Sequence, residues 1–343
     1  MRRSWEETSL APHRLQAEGL PSFTAPTCQR PSLPDGAEAR AVAAAGPHLL
    51  FRLHIDHGAE AGGHRPGIYR QPIGGGPDDL ELLAADEGGG VLLEPQAAGD
   101  VVLLKRSLPS GAPSASAEVI FAHAGAEAVV VPGQEVSVSA DGSTAAVLDA
   151  SGGLWVVELG TTLEARSLLP MSVDDAQQLP LPALTPDGST VMVSRAGALV
   201  AVDVSTGKVE ILMPAAENVV MHSICALGPQ EAVALVATAS EEHGPAGELV
   251  RVAGGVRTSL WTAPLAQPRI APVVVDEHVF AALTLEPYGA ATYGPVHLVV
   301  MPLSGGAQAP VVELGGGPLR MRRLDDDLCV EGGDALLRLP LTS

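Results

Sequence analysis

Two stretches of this chain repeat each other 46 residues apart, and that period constrains the fold more than any other feature. Residues 136–162 read VSVSADGSTAAVLDASGGLWVVELGTT, and residues 182–208 read PALTPDGSTVMVSRAGALVAVDVSTGK. Each holds an S/T-x-D-G-S turn (Asp141-Gly142 and Asp187-Gly188) between two short alternating strands, where Asp-Gly is expected to make a tight hairpin. A third strand follows at 154–159 and 199–204, then a T-T or S-T-G-K turn, then a fourth strand at 165–169 and 209–213. Four antiparallel strands in a unit of roughly 40–48 residues is the blade of a β-propeller.

Weaker copies become legible against that unit. Residues 39–86 supply ARAVAAAG, HLLFRLHI, GIYRQPI and LELLAA, and residues 91–132 supply VLLEPQ, DVVLLKRS, AEVIFAH and EAVVVP. Residues 219–264 and 269–314 divide in the same way. The turns PIGGGP (72–77) and PLSGGA (302–307) fall in one slot, between third and fourth strands, 230 residues or five periods apart. A pair of β-sandwich domains would not keep such a spacing. The final segment, 319–343, has three strands only. Its outer strand is expected from the N-terminal region, which joins the chain ends and leaves no open sheet edge. The expectation is an all-β chain, a single β-propeller over residues 39–343 with seven four-stranded blades. Residues 1–38 form an extension that contributes the closing strand. Rings of six or eight blades stay open, because the first 38 residues are hard to register.

The [ST]-x-D-G-S turn, the apolar strand after it and the D-x-x-T-G-type turn from Asp203 to Gly207 resemble the TolB-type and YVTN-type β-propeller repeats. The resemblance is strongest over residues 133–215. No Trp-Asp dipeptide closes a strand, which sets the chain apart from the WD-repeat class. Aromatic residues make up only 3% of the chain, and Ala and Val take their usual places in the strands. The resemblance implies a fold and a binding face, and no chemistry.

Charge narrows the function classes. The 343 residues carry 40 Asp and Glu against 20 Lys and Arg, a formal charge of −20. A phosphate-tracking nucleic-acid binder needs a basic stripe, and attachment to anionic lipid needs basic clusters. Neither is present. No window offers about 18 uninterrupted apolar residues for a membrane span. Cys28, Cys225 and Cys329 are odd in number and far apart, which fits reduced thiols in a cytoplasmic protein. The opening residues lack the apolar core of a secretory signal. An Ala- and Gly-rich composition fits a bacterial source with a GC-rich genome.

In a propeller, the loops between strands two and three and those between blades open on one face, and the short first hairpins open on the other. The long loops are the place for a ligand, held on a rigid scaffold. The loop at 55–66 brings His54, Asp56, His57 and His64 into one stretch, with imidazoles and a carboxylate of the kind that hold a divalent metal. A solvated polar loop is the simpler reading, so no cofactor is expected; one divalent metal on His54, His57 and His64 is the alternative. Glu241, Glu242 and His243 form a second cluster in the corresponding loop of another blade. Asp174 and Asp175, and Glu217, lie in between-blade loops. Tyr288 and Tyr293 share one loop, as large amphipathic side chains suited to binding. His222 opens an innermost strand near the channel mouth, where it acts as an acid or base or bonds a neighbouring blade.

There is no G-x-S-x-G elbow, no P-loop and no dinucleotide fingerprint. The leading expectation is a non-catalytic scaffold that holds a peptide or protein, preferentially a basic one, on the long-loop face. The rim for it is His54, Asp56, His57, His64, Asp174, Asp175, Glu217, Glu241, Glu242, Tyr288 and Tyr293. The alternative is a propeller enzyme, a lyase, cyclase or hydrolase, working at the channel mouth through His222, His243 and Glu241. The oligomeric state is not legible.

Overall fold

The computed structural model describes residues 26–55, 63–86, 90–108, 117–123, 127–149, 151–170, 181–216, 219–240, 244–264, 270–284, 296–306, 309–314 and 318–341. Their strands form seven antiparallel sheets of four. Blades 1 to 6 span residues 37–85, 91–132, 135–169, 183–213, 219–264 and 273–314, and each pairs its strands in chain order. Blade 7 is composite. Its inner three strands are β26 (Pro318–Leu324), β27 (Asp327–Gly332) and β28 (Ala335–Pro340), and its outer strand is β1 (Thr27–Gln29). The protein is a seven-bladed β-propeller.

Blades pack face to face, so their middle strands are covered on both sides and read as continuous apolar runs rather than alternations. All five residues of β11 (Thr144–Leu148) are buried, whereas β13 (Leu163–Leu169), at the rim of the same blade, buries only Leu169. The core is accordingly a circle of separate clusters set at the blade junctions. Val191, Val193 and Val200 of blade 4 meet Val156 and Leu154 of blade 3, for example. The junction of blades 1 and 2 is the thinnest, with two small clusters built on Leu50 and on Ile68. An ion pair there, Arg52 to Asp86 at 2.8 Å, supplements the apolar contact.

The Asp-Gly turns differ from the expected two-residue hairpin. Ser139 N–H donates to the Thr144 carbonyl at 2.9 Å, and Thr185 N–H to that of Thr190 at the same distance, so four residues form each loop. Asp141 accepts from the Ser139 and Ser143 hydroxyls and from Ser143 N–H. These bonds hold its carboxyl below the ordinary range, the Ser139 hydroxyl contributing most. Gly188 has φ of +69°, and a Cβ there would sit 2.8 Å from Thr144 Oγ1 in the preceding blade. Only glycine meets both conditions at this position; the matching Gly142 shares the positive φ, +71°, but has no neighbour closer than 3.8 Å to an added Cβ.

Ring closure follows the expected plan and gives it a register. Thr27, Cys28 and Gln29 pair with Arg338, Leu337 and Leu336. The extension is then stitched onto blade 1: Ser32 N–H donates to Gln71 Oε1, and Gln71 Nε2 donates to the Ser32 carbonyl, both at 2.9 Å. Blade 1 begins at Ala37. A chain shortened to start at Ala37 loses all of these contacts and leaves β28 as an open edge. Its melting temperature by scanning calorimetry is expected to fall by roughly 5–10 °C, or the protein to become insoluble. An equally thermostable, soluble monomer would mean that β1 does not hold the ring.

Candidate functional site

The innermost strands do not run straight. In β18 (Val219–Gly228), Met221 pairs with Val236 and Ser223 with Leu235, so His222 is the extra residue of a bulge. In β6 (Val91–Ala98), Leu93 and Glu94 lie in a register shift between Leu92 and Pro95. Proline cannot donate to a ladder, and a bulge is one of the few strand positions that accepts it. Shifts also occur in β2 (Ala37–Ala45) between Arg40 and Ala43, and in β26 between Pro318 and Arg320. A bulge bends the strand and re-aims its side chains. Here two bulges carry polar side chains to the channel.

Those side chains share one cavity of about 230 Å³. Blade 2 lines it with Glu94, Gln96, Leu103, Lys105 and Val119, blade 3 with Glu135 and Val136, and Gln134 and Leu181 complete the wall with His222 and Arg320. Blades 2 and 5 stand across the ring from each other, so Glu94 and His222 approach from opposite sides. Most of these residues lie towards the long-loop ends of their strands. Lys105 Nζ is 4.0 Å from Glu135 Oε1 across the junction of blades 2 and 3. Leu103 and Val119 form an apolar wall beside that pair, where the blade 2–3 core opens into the cavity.

The seam of the ring borders the same space. Glu331, on β27, is 1% exposed and receives both Arg320 and Arg322 of β26, at 2.7 Å each. Arg320 also donates to Gln96 Oε1 at 3.0 Å and to the Pro95 carbonyl at 3.1 Å in blade 2. Arg322 donates to the Ala97 carbonyl at 2.7 Å in blade 2 and to the Ala44 carbonyl at 2.5 Å in blade 1. Glu331 accepts in addition from Ala44 N–H at 3.1 Å. Burial alone would raise the Glu331 carboxyl; Arg322, Arg320 and these hydrogen bonds outweigh it and hold it below its ordinary 4.5.

Of the side chains singled out from sequence, three lie among the described residues. His222 is 8% exposed and lines the cavity. His54 stands opposite Glu38 on β3 (His48–Ile55), which ends one residue later. His64 packs edge-on to the ring of Tyr69 at 5.6 Å, and the Tyr69 hydroxyl donates to the Arg65 carbonyl at 2.9 Å. That arrangement holds His64 and Arg65 against blade 1. Asp56, His57, Asp174, Asp175, Glu217, Glu241, Glu242, His243, Tyr288 and Tyr293 lie outside the described residues. Among the described residues no three His, Cys, Asp or Glu side chains converge as metal ligands. Burial pushes the Cys329 thiol up to about 11, so it is no nucleophile at neutral pH. No described helix is long and apolar enough to cross a membrane.

Sequence reasoning missed Glu94, Gln96, Lys105, Glu135 and the two seam arginines. A signal existed for some of them. VLLEPQ places a glutamate and a glutamine two apart on an inner strand, with a proline between them.

No protein-family model matches this chain, and no curated protein sequence matches it. Solved structures do. An oligogalacturonate lyase in complex with manganese superposes with a TM-score of 0.53 at 14% identity, covering 93% of this chain and 91% of that one. An ancestral GH74 enzyme gives 0.56 at 12%, covering 89% of this chain and 48% of the other. A prolyl endopeptidase gives 0.54 at 11%, covering 90% and 50%. The chain thus spans about half the length of the last two. All three are β-propeller proteins, and at such identities they establish the fold alone.

The seam yields a prediction with a defined sign. Because the Glu331 pKa is lower in the folded state, the stability it contributes is complete above about 4.5 and is lost as the pH falls through the lowered value. Glu331→Gln leaves two partly buried arginines without their counter-charge, which costs up to about 3–5 kcal/mol at neutral pH. Urea unfolding at a series of pH values checks both points: the variant should be less stable at pH 7, with a shallower acid limb below pH 4.5. Equal stability at neutral pH would show that the cluster does not hold the seam.

Proposed function

We propose that the protein is an acidic, cytoplasmic binding module that holds a peptide or protein segment on its long-loop face. The observation that carries this reading is the channel cavity itself. It lies towards that face, is mainly apolar with polar groups among the lining, and receives Glu94 and His222 from two strand bulges. Rigid strands with bulges position such groups better than loops do. The charge of −20 favours a basic partner by steering it, an attraction that weakens with salt. The S/T-x-D-G-S turns support placing the chain with the TolB-type and YVTN-type propellers, whose repeats they resemble.

A second reading has one observation behind it. His222 shares the cavity with two carboxylates, Glu94 and Glu135, a set able to exchange protons with a bound molecule. In that reading the protein is a lyase, cyclase or hydrolase.

An immobilised peptide library probed with the full chain separates these readings. At low salt the protein is expected to select a subset of peptides, more weakly at high salt, and Val136→Phe, which narrows the cavity, is expected to abolish the selection without lowering the melting temperature. Absence of any selected peptide, or unchanged selection by the variant, overturns the binding reading. Mass spectrometry of a selected peptide after incubation then decides on chemistry. Recovery unchanged supports the scaffold; conversion by the wild type and not by His222→Ala establishes the enzyme.

A further inference from the structure

Resting on the binding reading, we infer that the channel cavity is a receptor for a single lysine or arginine side chain of the bound peptide. The aliphatic stem lies along the apolar wall, and the cationic head reaches Glu94.

The pairing of charges around the cavity leads to this assignment. The lysine and the arginine in the lining are already committed. Lys105 faces Glu135, and Arg320 is held by Glu331, by the Gln96 amide oxygen and by the Pro95 carbonyl. Arg322, behind it, spends its donors on Glu331 and on two main-chain carbonyls. Glu94 differs. It lines the cavity on a bulge and has no ion pair with another described residue. A half-buried carboxylate in that position is an acceptor site for a cation.

The rest of the wall sets the shape of the occupant. Val136 and Leu181, only partly buried, supply the accessible apolar surface of the wall, which Leu103 and Val119 complete with almost no exposure of their own. A small hydrophilic cation such as ammonium would leave this surface uncovered, and a purely aliphatic side chain would leave Glu94 unpaired. Lysine and arginine satisfy both, since their stems pack against apolar surface while their heads stay polar. An acidic side chain would place like charge against Glu94 and Glu135. The field of a chain of charge −20 acts in the same direction.

The test uses the full chain with methyl-labelled Leu and Val and three capped tripeptides, Ala-Lys-Ala, Ala-norleucine-Ala and Ala-Glu-Ala, followed by NMR titration. Saturable shifts of the Leu103, Val119, Val136 and Leu181 methyls are expected with the lysine peptide. Binding is expected to be about tenfold weaker with norleucine, which keeps the stem and lacks the charge, and absent with glutamate. An arginine peptide tested alongside ranks the two heads. Glu94→Gln should remove the lysine preference while leaving the norleucine affinity unchanged. The norleucine arm needs no variant, so a misfolded Glu94→Gln does not blunt the test. Equal affinity for lysine and norleucine, stronger binding of the glutamate peptide, or shifts elsewhere on the surface overturns the assignment. If the peptide library selects sequences free of Lys and Arg, the binding reading stands and this assignment falls.

Discussion

One buried carboxylate holds the two ends of the ring to each other. Glu331 is fully enclosed and would be costly there alone, yet it organises two arginines that reach from the last blade to the inner strands of the first and second. Each arginine brings several donors in a planar fork, so one ion cluster satisfies main-chain carbonyls in two blades at once. The outer strand β1 closes the same blade at its rim. The seam is therefore fastened twice, by charge near the axis and by backbone pairing at the circumference. The other junctions join consecutive stretches of chain through apolar clusters, with single ion pairs such as Arg52–Asp86 and Lys105–Glu135 beside them.

The same cluster shapes the site. By holding Arg320 on Glu331 and Gln96, it fixes one wall of the cavity that Glu94 also lines. The bulges supply the rest. A strand that runs straight along the axis alternates its side chains between the two flanking blades, whereas an extra residue such as His222 is released from that alternation. Binding groups in this fold thus come from irregularities in inner strands as well as from long loops.

The repeat period made the architecture legible from the residues alone. Asp141-Gly142 and Asp187-Gly188 mark homologous turns, and a three-stranded last segment implied a strand from the other end of the chain. The exact turn geometry was less accessible, because Ser139 and Thr185 lengthen the loop through side-chain bonds that a dipeptide rule does not encode. The site was legible only in part. His222 stood out as a histidine on an apolar strand. Glu94 and Glu135 did not, since their importance depends on which blade faces which, and a register shift of one residue decides it. Arg320, Arg322 and Glu331 belong to no motif; they meet because β26 and β27 pair beside the inner strands of blades 1 and 2.

The composite blade has a consequence for synthesis. β1 is made early, but its partner β28 is the last of the described strands to be made. At about 5–20 residues per second, the roughly 300 residues between them take on the order of 15–60 s. Throughout that interval the early strand must stay unpaired while six complete blades, each with an available edge, fold beside it. Its sequence suits the wait. Thr27–Gln29 is only three residues long, and Pro26 and Pro31 bracket it closely, each lacking the amide hydrogen that a longer mispairing would need. The latch is kept short, and so cannot fasten to the wrong blade with many bonds before the right one exists.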